Sequence, residues 1–323
     1  MSSLIGANGE CCSGTAGSWD NERKRAKMSS LIGANGECCL GTAGSWDNER
    51  KRAKMSSRET EKGAAMSELF SYPEFDPKGV KLLTNAGDRE NDMLMDIAVY
   101  EMKAGEERSF SSQSDEMAVL LLTGDILFSW EDRKERGNRS SLTEEGPYCL
   151  HVSKGVMVNV AAKEDSQVLV QCTRNDREFD SVFYKPEDCT NDIFGEGLLD
   201  GKMKRTVRTV FDYNNAPYSN MVNGEVINHQ GGWSSYTPHE HPQPEVYYYR
   251  FERPEGFGAC FIGEDVFKIK DGSCAAIPGG RTHPQVTAPG FPMYYCWMIR
   301  HLPDNPWTTR VDDPRYNWIK ELK

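Results

Sequence analysis

Residues 238–251 of the chain read PHEHPQPEVYYYRF. Side chains two positions apart on a β-strand point to the same face, so His239 and His241 are expected to face the same way. Glu245 has the same parity, provided that the intervening prolines do not shift it. The stretch therefore predicts that two imidazoles and one carboxylate enter the interior of a β-barrel.

A second stretch supplies a third imidazole. Residues 271–286 read DGSCAAIPGGRTHPQV, in which Gly272 is followed by five residues and then by Pro278. This spacing predicts a strand that runs into a tight Pro-Gly-Gly turn, with His283 just beyond the turn. Three neutral imidazoles and a carboxylate suit one divalent ion of zinc, manganese, iron, cobalt or nickel, and they leave a position for substrate or water. The expected metal ligands are His239, His241, Glu245 and His283.

The rest of the chain predicts an all-β fold. Short runs rich in β-branched and aromatic residues alternate with Gly, Asp, Asn and Pro, without strand–helix alternation. The strands expected in the first half lie within 93–103, 116–129, 148–161 and 166–172. Those expected in the second half lie within 207–213, 224–228, 245–252, 258–262, 266–270, 273–277 and 293–300. A glycine-rich hinge at 186–202 separates the halves, polar helical turns are expected within 305–323, and the pattern is typical of a sandwich or barrel.

The first 54 residues contain an internal duplication. Residues 1–27 recur at 28–54 with one change, Ser13 to Leu40. Both copies are rich in glycine, serine and charge, so neither can bury an apolar face against the other, and repeat folds usually need more units. Residues 1–65 are therefore predicted to be a disordered leader, with the folded part beginning near Met66.

Composition limits the classes of partner. The chain has 323 residues and a net charge of −11, which argues against a nucleic acid or an anionic membrane, because either needs a concentrated basic face. No apolar run approaches the roughly 18 residues of a membrane span, and the N-terminus lacks the apolar stretch of a signal peptide. The cysteines outside the duplication show no Cys-x-x-Cys spacing, which favours reduced, buried thiols. We expect a cytoplasmic protein that binds a small polar molecule.

The two histidine stretches resemble the paired motifs of the cupin superfamily, in which His-x-His and Glu precede a Pro-x-Gly turn and a final histidine. Trp233, Glu252 and Thr287 replace the glycine, glycine and asparagine of those motifs, which affects turns rather than metal ligands. A closer resemblance extends over nearly all of 66–323. Residues 224–251 (GEVINHQGGWSSYTPHEHPQPEVYYYRF) and 279–301 (GGRTHPQVTAPGFPMYYCWMIRH) are similar to the 5-deoxy-glucuronate isomerases of inositol catabolism, a family related to the 5-keto-4-deoxyuronate isomerases.

This resemblance implies two cupin domains, each a jelly-roll β-barrel, of which only the second binds metal. The implied divisions are a leader at 1–65, an N-terminal cupin-like domain without metal ligands at 66–195, and a C-terminal metal-binding cupin domain at 196–323. The residues agree with this asymmetry, because the N-terminal half holds a single histidine, His151, and no His-x-His pair. Cupin sheets have edge strands that association covers, so a homo-oligomer is expected.

The resemblance also implies a reaction, the conversion of 5-deoxy-D-glucuronate, a uronate-type sugar acid, to 5-dehydro-2-deoxy-D-gluconate. This is an aldose–ketose isomerisation, in which a proton moves between neighbouring carbons. Tyrosines that share the parity of Glu245 are candidates for proton transfer, namely Tyr247 and Tyr249. Basic and amide side chains near the ligands are candidates for binding the substrate carboxylate and hydroxyls, namely Arg281, Arg208, Arg205, Gln243 and Gln285.

Other functions fit similar ligands. A 5-keto-4-deoxyuronate isomerase or another uronate isomerase would share the site, although the Trp-Ser-Ser-Tyr at 233–236 favours the inositol branch. An Fe(II) cupin dioxygenase would be revealed by oxygen uptake. A non-enzymatic sugar-binding cupin would normally lack the full ligand set, so metal content separates it from the enzymes.

Overall fold

Most described residues belong to antiparallel β-strands or to the turns between them. The computed structural model describes residues 39–40, 68–87 and 92–322, so the predicted leader lies outside the described residues except for the backbone of 39–40. The first sheet contains β1 (Cys39–Leu40), β3 (Val80–Thr84), β4 (Asp96–Met102), β5 (Glu107–Ser111), β6 (Asp115–Trp130), β7 (Arg133–Arg139), β8 (Tyr148–Val152), β9 (Val158–Ala162), β10 (Ser166–Arg174) and β11 (Val182–Tyr184), numbered in chain order.

Three smaller sheets contain the remaining strands. The seven-stranded sheet has the order β12 (Asp192–Phe194), β13 (Arg205–Phe211), β14 (Met221–Asn228), β22 (Met293–Arg300), β17 (Glu245–Arg250), β20 (Cys274–Ile277) and β2 (Phe70–Ser71). The four-stranded sheet has the order β15 (Trp233–Ser234), β21 (Gln285–Thr287), β18 (Phe257–Ile262) and β19 (Asp265–Lys270), and β16 (His239–Glu240) pairs with β23 (Val311–Asp312). Short 3₁₀ helices span Pro186–Asp188, Leu198–Gly201 and Pro314–Glu321.

Strand β6 connects two parts of the first sheet. Its first part pairs with β8 and β10, and its second part, from Gly124 onward, pairs with β7 and β9. Gly124 has a φ of +107°, and a Cβ atom there would lie 2.2 Å from the Oγ atom of Ser166. Only glycine fits this bend, because any side chain would clash and the backbone conformation is strained for other residues.

Alternate side chains of β17 are buried on both faces of the strand. Val246 and Tyr248 enter a central core that includes residues of the first sheet, such as Leu120. Tyr247 and Tyr249 enter a different core, which is formed by Phe70 and residues of the second half of the chain. Because side chains alternate along a strand, this double burial explains the nearly continuous apolar and aromatic run after Glu245.

A buried ion pair crosses the central core. The guanidinium of Arg139 on β7 makes two hydrogen bonds to Glu225 on β14, at 2.6 and 2.9 Å, and both side chains are fully buried. The Tyr294 hydroxyl donates a further hydrogen bond to Glu225 at 2.7 Å. The carboxylate is therefore surrounded by donors that come from both halves of the chain.

Strand β2 comes before all strands of the first sheet except β1 in sequence, but it lies in the seven-stranded sheet. Phe70 pairs with Ala275 of β20, and its ring stacks on Phe267 with 5.3 Å between centroids. Asp192–Phe194 likewise pairs with β13. The sheets thus do not follow the boundaries of the predicted domains at 66–195 and 196–323, and that division stays a prediction.

The all-β prediction is confirmed, and the principal expected strands are present with shifted ends. Several strands were not predicted, of which the longest are β3, β5 and β7. β7 reads RKERGNR, and its charged side chains hide the strand from an apolar pattern, because only one face of it is buried. Within the described ranges, the helices are all too short or too polar to cross a membrane.

Candidate metal centre

Three of the predicted ligands converge in the structure. The candidate ligand atoms of His241, Glu245 and His283 all lie within 4.8 Å of one another, and the three side chains are buried. The Oε2 atom of Glu245 lies 3.2 Å from the Nε2 atom of His241 and 3.2 Å from the Nε2 atom of His283. This group could hold a metal ion, because imidazole nitrogen and carboxylate oxygen are its common ligands.

Two backbone contacts bring the Pro-Gly-Gly turn against the His-x-His stretch. The N–H of Gly280 donates a hydrogen bond to the carbonyl oxygen of His241 at 2.8 Å. A Cβ atom at Gly279 would lie only 2.0 Å from the carbonyl oxygen of Pro242. Glycine is therefore required at 279, since any side chain would push the turn and His283 away from the other ligands.

Each histidine of the site is oriented by a carbonyl two residues away. A histidine that donates through Nδ1 leaves the Nε2 lone pair free for a metal ion. The contacts are His239 Nδ1 to the Thr237 carbonyl at 2.9 Å, His241 Nδ1 to the Gln243 carbonyl at 2.9 Å, and His283 Nδ1 to the Arg281 carbonyl at 2.8 Å. The local backbone thus aims the three Nε2 atoms.

The electrostatics of the site favour a cation. Burial lowers the pKa of His239 to about 4 and that of His283 to about 4, so both imidazoles are neutral at neutral pH. The Nε2 atom of His283 is buried and has no hydrogen-bond donor among the described residues. Lone pairs and a carboxylate that face one another repel, and a metal ion placed between them would satisfy all of these atoms.

His239 lies beside this group rather than within it. Its ring centroid is 4.9 Å from that of His283, and its side chain is buried. His239 and Glu245 both line a cavity of about 250 Å³. The structure therefore places the fourth predicted ligand next to the other three and on the wall of the cavity.

The cavity is enclosed mainly by the seven-stranded sheet and the segment after β22. It combines aromatic walls with several charged groups. Its lining residues are Asp192, Phe194, Arg205, Val207, Thr209, Asp212, Val226, Ser235, His239, Glu245, Tyr247, Tyr295, Trp297, Trp307 and Arg310. Such a mixture suits a small polar ligand.

The two candidate tyrosines have different surroundings. Tyr247 lines the cavity, and its hydroxyl lies 3.2 Å from the Oγ atom of Ser235. Tyr249 is completely buried, and its hydroxyl donates a hydrogen bond to Gln285 at 2.6 Å. Of these two tyrosines, Tyr247 is the one placed to contact a molecule in the cavity.

The three candidate arginines are also separated. Arg205 lines the cavity, and Arg208, three residues further along β13, points to the opposite face because side chains alternate. The guanidinium of Arg208 donates to the carbonyls of Leu142 and Thr143 in the first half of the chain. Arg281 is exposed and lines a different cavity.

Both candidate glutamines are buried and hydrogen-bonded within the protein. Gln243 donates to the carbonyl of Asn305 at 2.8 Å, and Gln285 accepts from Tyr249 and donates to the carbonyl of His283. Neither is among the residues that line the cavity. They hold the loops that carry His241 and His283 in place.

Several cavity residues were not predicted from the sequence. Tyr295 and Trp297 share parity on β22, and that alternation was a usable signal for an inward face. Gly224 on the neighbouring strand makes room for Trp297, because a Cβ atom there would lie 2.5 Å from the indole. Trp307 and Arg310 belong to an irregular segment after β22, for which the sequence offers no comparable signal.

Comparison with known proteins identifies the family. The sequence model of the KduI/IolB family matches residues 71–319, which is most of the chain. The chain belongs to the KduI/IolB family. The matched range includes both histidine stretches and every residue that lines the cavity.

Curated relatives of this KduI/IolB family member include several proteins named 5-deoxy-glucuronate isomerase. The 5-deoxy-glucuronate isomerase of Bacillus licheniformis is 24% identical over 277 residues, covering 79% of this chain and 100% of that protein. The 5-deoxy-glucuronate isomerase of Bacillus subtilis strain 168 is 23% identical, covering 75% and 94%. That of Geobacillus kaustophilus is 25% identical, covering 70% and 85%.

Solved structures similar to this KduI/IolB family member have a cupin-like fold. An IolB-like protein from Salmonella typhimurium LT2 superposes with a TM-score of 0.72 at 20% identity, covering 79% of this chain and 100% of that one. The oxalate decarboxylase of Lactobacillus farciminis superposes with a TM-score of 0.57 at 11% identity, covering 79% and 91%. At these identities the likeness establishes the fold alone.

Proposed function

We propose that this chain is a metal-dependent 5-deoxy-glucuronate isomerase, which converts 5-deoxy-D-glucuronate to 5-dehydro-2-deoxy-D-gluconate in inositol catabolism. The observation that carries the proposal is the convergence of buried His241, Glu245 and His283 beside a cavity that Arg205 also lines. Membership of the KduI/IolB family and the shared name of the curated relatives support the reaction class.

The proposed metal site takes its ligands from both histidine stretches. The ligands are His239, His241, Glu245 and His283, and the ion is one divalent ion of zinc, manganese, iron, cobalt or nickel. When bound, the ion supplies Lewis-acid polarisation of the carbonyl and adjacent hydroxyl oxygens of the substrate. The protein orients the imidazoles through their Nδ1 hydrogen bonds and keeps the ligand atoms out of bulk water.

Tyr247 is the residue that we assign to stabilising charge on the substrate. Burial, together with the charge of Glu245, raises the pKa of the Tyr247 phenol well above its ordinary value. The phenol therefore keeps its proton at neutral pH and acts as a donor rather than as a base. It would donate a hydrogen bond to a substrate oxygen as negative charge develops there.

The Tyr247→Phe variant is expected to lower kcat by about 100-fold, because it removes a donor directed at the reacting oxygens. Tyr249→Phe is the matched control, because the Tyr249 hydroxyl is bound to Gln285 and does not face the cavity. This variant should lower kcat by less than about fivefold. Both are measured with saturating 5-deoxy-D-glucuronate, and metal content is determined for each protein. Equal losses in the two variants would contradict the assignment of Tyr247.

The function itself is tested with the full chain and 5-deoxy-D-glucuronate. Activity is measured as purified, after chelation, and after return of each candidate metal, with the product identified by NMR. We expect activity to disappear on chelation and to return with at least one metal. A metal-loaded protein that leaves this substrate unchanged contradicts the proposal, and oxygen uptake or turnover of a 5-keto-4-deoxyuronate would then identify the alternative.

A further inference from the structure

One cavity residue carries a buried charge that has no opposite charge beside it. Arg205 is 8% exposed, and its guanidinium donates a hydrogen bond from Nη1 to the carbonyl oxygen of Met203 at 3.0 Å. Among the described residues, no carboxylate forms an ion pair with Arg205. A guanidinium has several N–H donors, so most of its donor capacity remains available to a ligand in the cavity.

Such a group is costly to bury. Burial lowers the pKa of Arg205, Tyr295 offsets part of this effect, and the nearby charge of Arg310 lowers the pKa further, so the net effect of the surroundings opposes the cation. Asp192 and Asp212 line the same cavity but do not pair with Arg205. Arg208 on the same strand shows the contrast, because it lies 3.6 Å from Glu225 and donates to several carbonyls.

The surroundings also fix the position of the Arg205 guanidinium. It lies over the ring of Phe194, 5.6 Å from the centroid, and beside Tyr295. The Tyr295 hydroxyl is held by the Oγ atom of Ser234 at 3.0 Å. A guanidinium that lies over an aromatic ring can present two parallel N–H donors to a carboxylate.

We propose that Arg205, assisted by Arg310, binds the terminal carboxylate of the substrate and makes the site selective for sugar acids over neutral sugars. This inference rests on the proposed function, because it names the group that holds the end of the substrate away from the reacting carbons. The same cavity is lined by Arg205, Arg310, His239 and Glu245. One molecule in it can therefore contact the arginines and the proposed metal ligands.

The test compares Arg205→Gln with Arg205→Lys and with the control Arg253→Gln, which changes an exposed arginine. Each protein is assayed on 5-deoxy-D-glucuronate and on 5-deoxy-D-glucose, which ends in an alcohol instead of a carboxylate. Arg205→Gln is expected to lose about 30- to 1000-fold in kcat/KM on the acid, while activity on the neutral sugar stays within about threefold of wild type. Arg205→Lys should recover part of the loss, since it restores the charge but not the paired donors.

A second measurement separates this inference from the proposed function. Binding of D-glucuronate to the full chain is measured by calorimetry in the wild type and in Arg205→Gln, with thermal denaturation to check folding. Weaker binding in a folded Arg205→Gln protein supports the inference even if 5-deoxy-D-glucuronate is not converted. Unchanged binding and unchanged selectivity would overturn it, as would a loss of selectivity in Arg281→Gln instead.

Discussion

Replacement of Glu245 by glutamine is expected to lower activity on 5-deoxy-D-glucuronate by more than about 100-fold and to reduce metal content in parallel. Loss of a residue that hydrogen-bonds to a metal ligand already lowers metal affinity or activity by about 10- to 100-fold. Glu245 is proposed as a ligand itself, so a larger loss is expected. The amide removes the negative charge that lies 3.2 Å from two imidazole nitrogens. Metal content by mass spectrometry and kcat/KM on the same protein sample would check both effects.

Glu240→Gln is the matched control for this change. Glu240 lies between the two histidines of the same stretch, but it is exposed and lines a cavity on the outer side of the site. Its variant should keep its metal and retain activity within about twofold of wild type, as expected for a surface substitution. Full metal content in Glu245→Gln, or an equal loss in Glu240→Gln, would show that Glu245 is not a ligand.

Replacement of Glu225 by leucine is expected to cost about 3–5 kcal/mol in the free energy of unfolding. The variant leaves the fully buried guanidinium of Arg139 without its carboxylate and removes the acceptor of the Tyr294 hydroxyl. Denaturant unfolding followed by circular dichroism measures the loss. By contrast, Lys103→Gln breaks an ion pair with Asp165 in which both side chains are exposed, and it should leave the free energy of unfolding nearly unchanged.

The double variant Arg139→Met with Glu225→Leu distinguishes charge from packing. If the single variant is destabilised because of an uncompensated buried charge, removing both charges should recover most of the lost stability. A double variant that is less stable than Glu225→Leu would mean that Arg139 stabilises the protein mainly by its other hydrogen bonds, to the carbonyls of Leu121, Leu142 and Glu145.

The sequence was informative about strands wherever burial imposes an apolar pattern. The apolar run at 116–129 lies within β6, whose first part is nearly all buried. The strand Arg133–Arg139 was missed because its side chains are mostly charged and exposed, and its pairing with the second part of β6 leaves no apolar pattern in its own sequence. The change of pairing at Gly124 was equally invisible, since it depends on close approach to Ser166, 42 positions later in the chain.

The site residues could be predicted from the sequence only as far as the alternation of side chains along a strand applies. Strand parity brings Glu245 and Tyr247 to one face and separates Arg205 from Arg208, but parity alone does not tell which face of β13 meets the cavity. That choice depends on the packing of β13 against the first sheet. Arg281 shares the parity of His283, yet both lie in an irregular stretch before β21, and alternation does not apply outside a strand.

Strand β2 has a consequence for any attempt to isolate the half of the chain that carries Glu245. Without Phe70–Ser71, the backbone N–H and C=O groups on the outer side of β20 would lose their hydrogen-bonding partners, and the ring of Phe267 would lose its stacking neighbour. A strand with free backbone groups next to newly exposed aromatic surface recruits other chains and aggregates. The strand Phe70–Ser71 therefore protects the seven-stranded sheet from aggregation, although the other strands of that sheet all lie within 192–300.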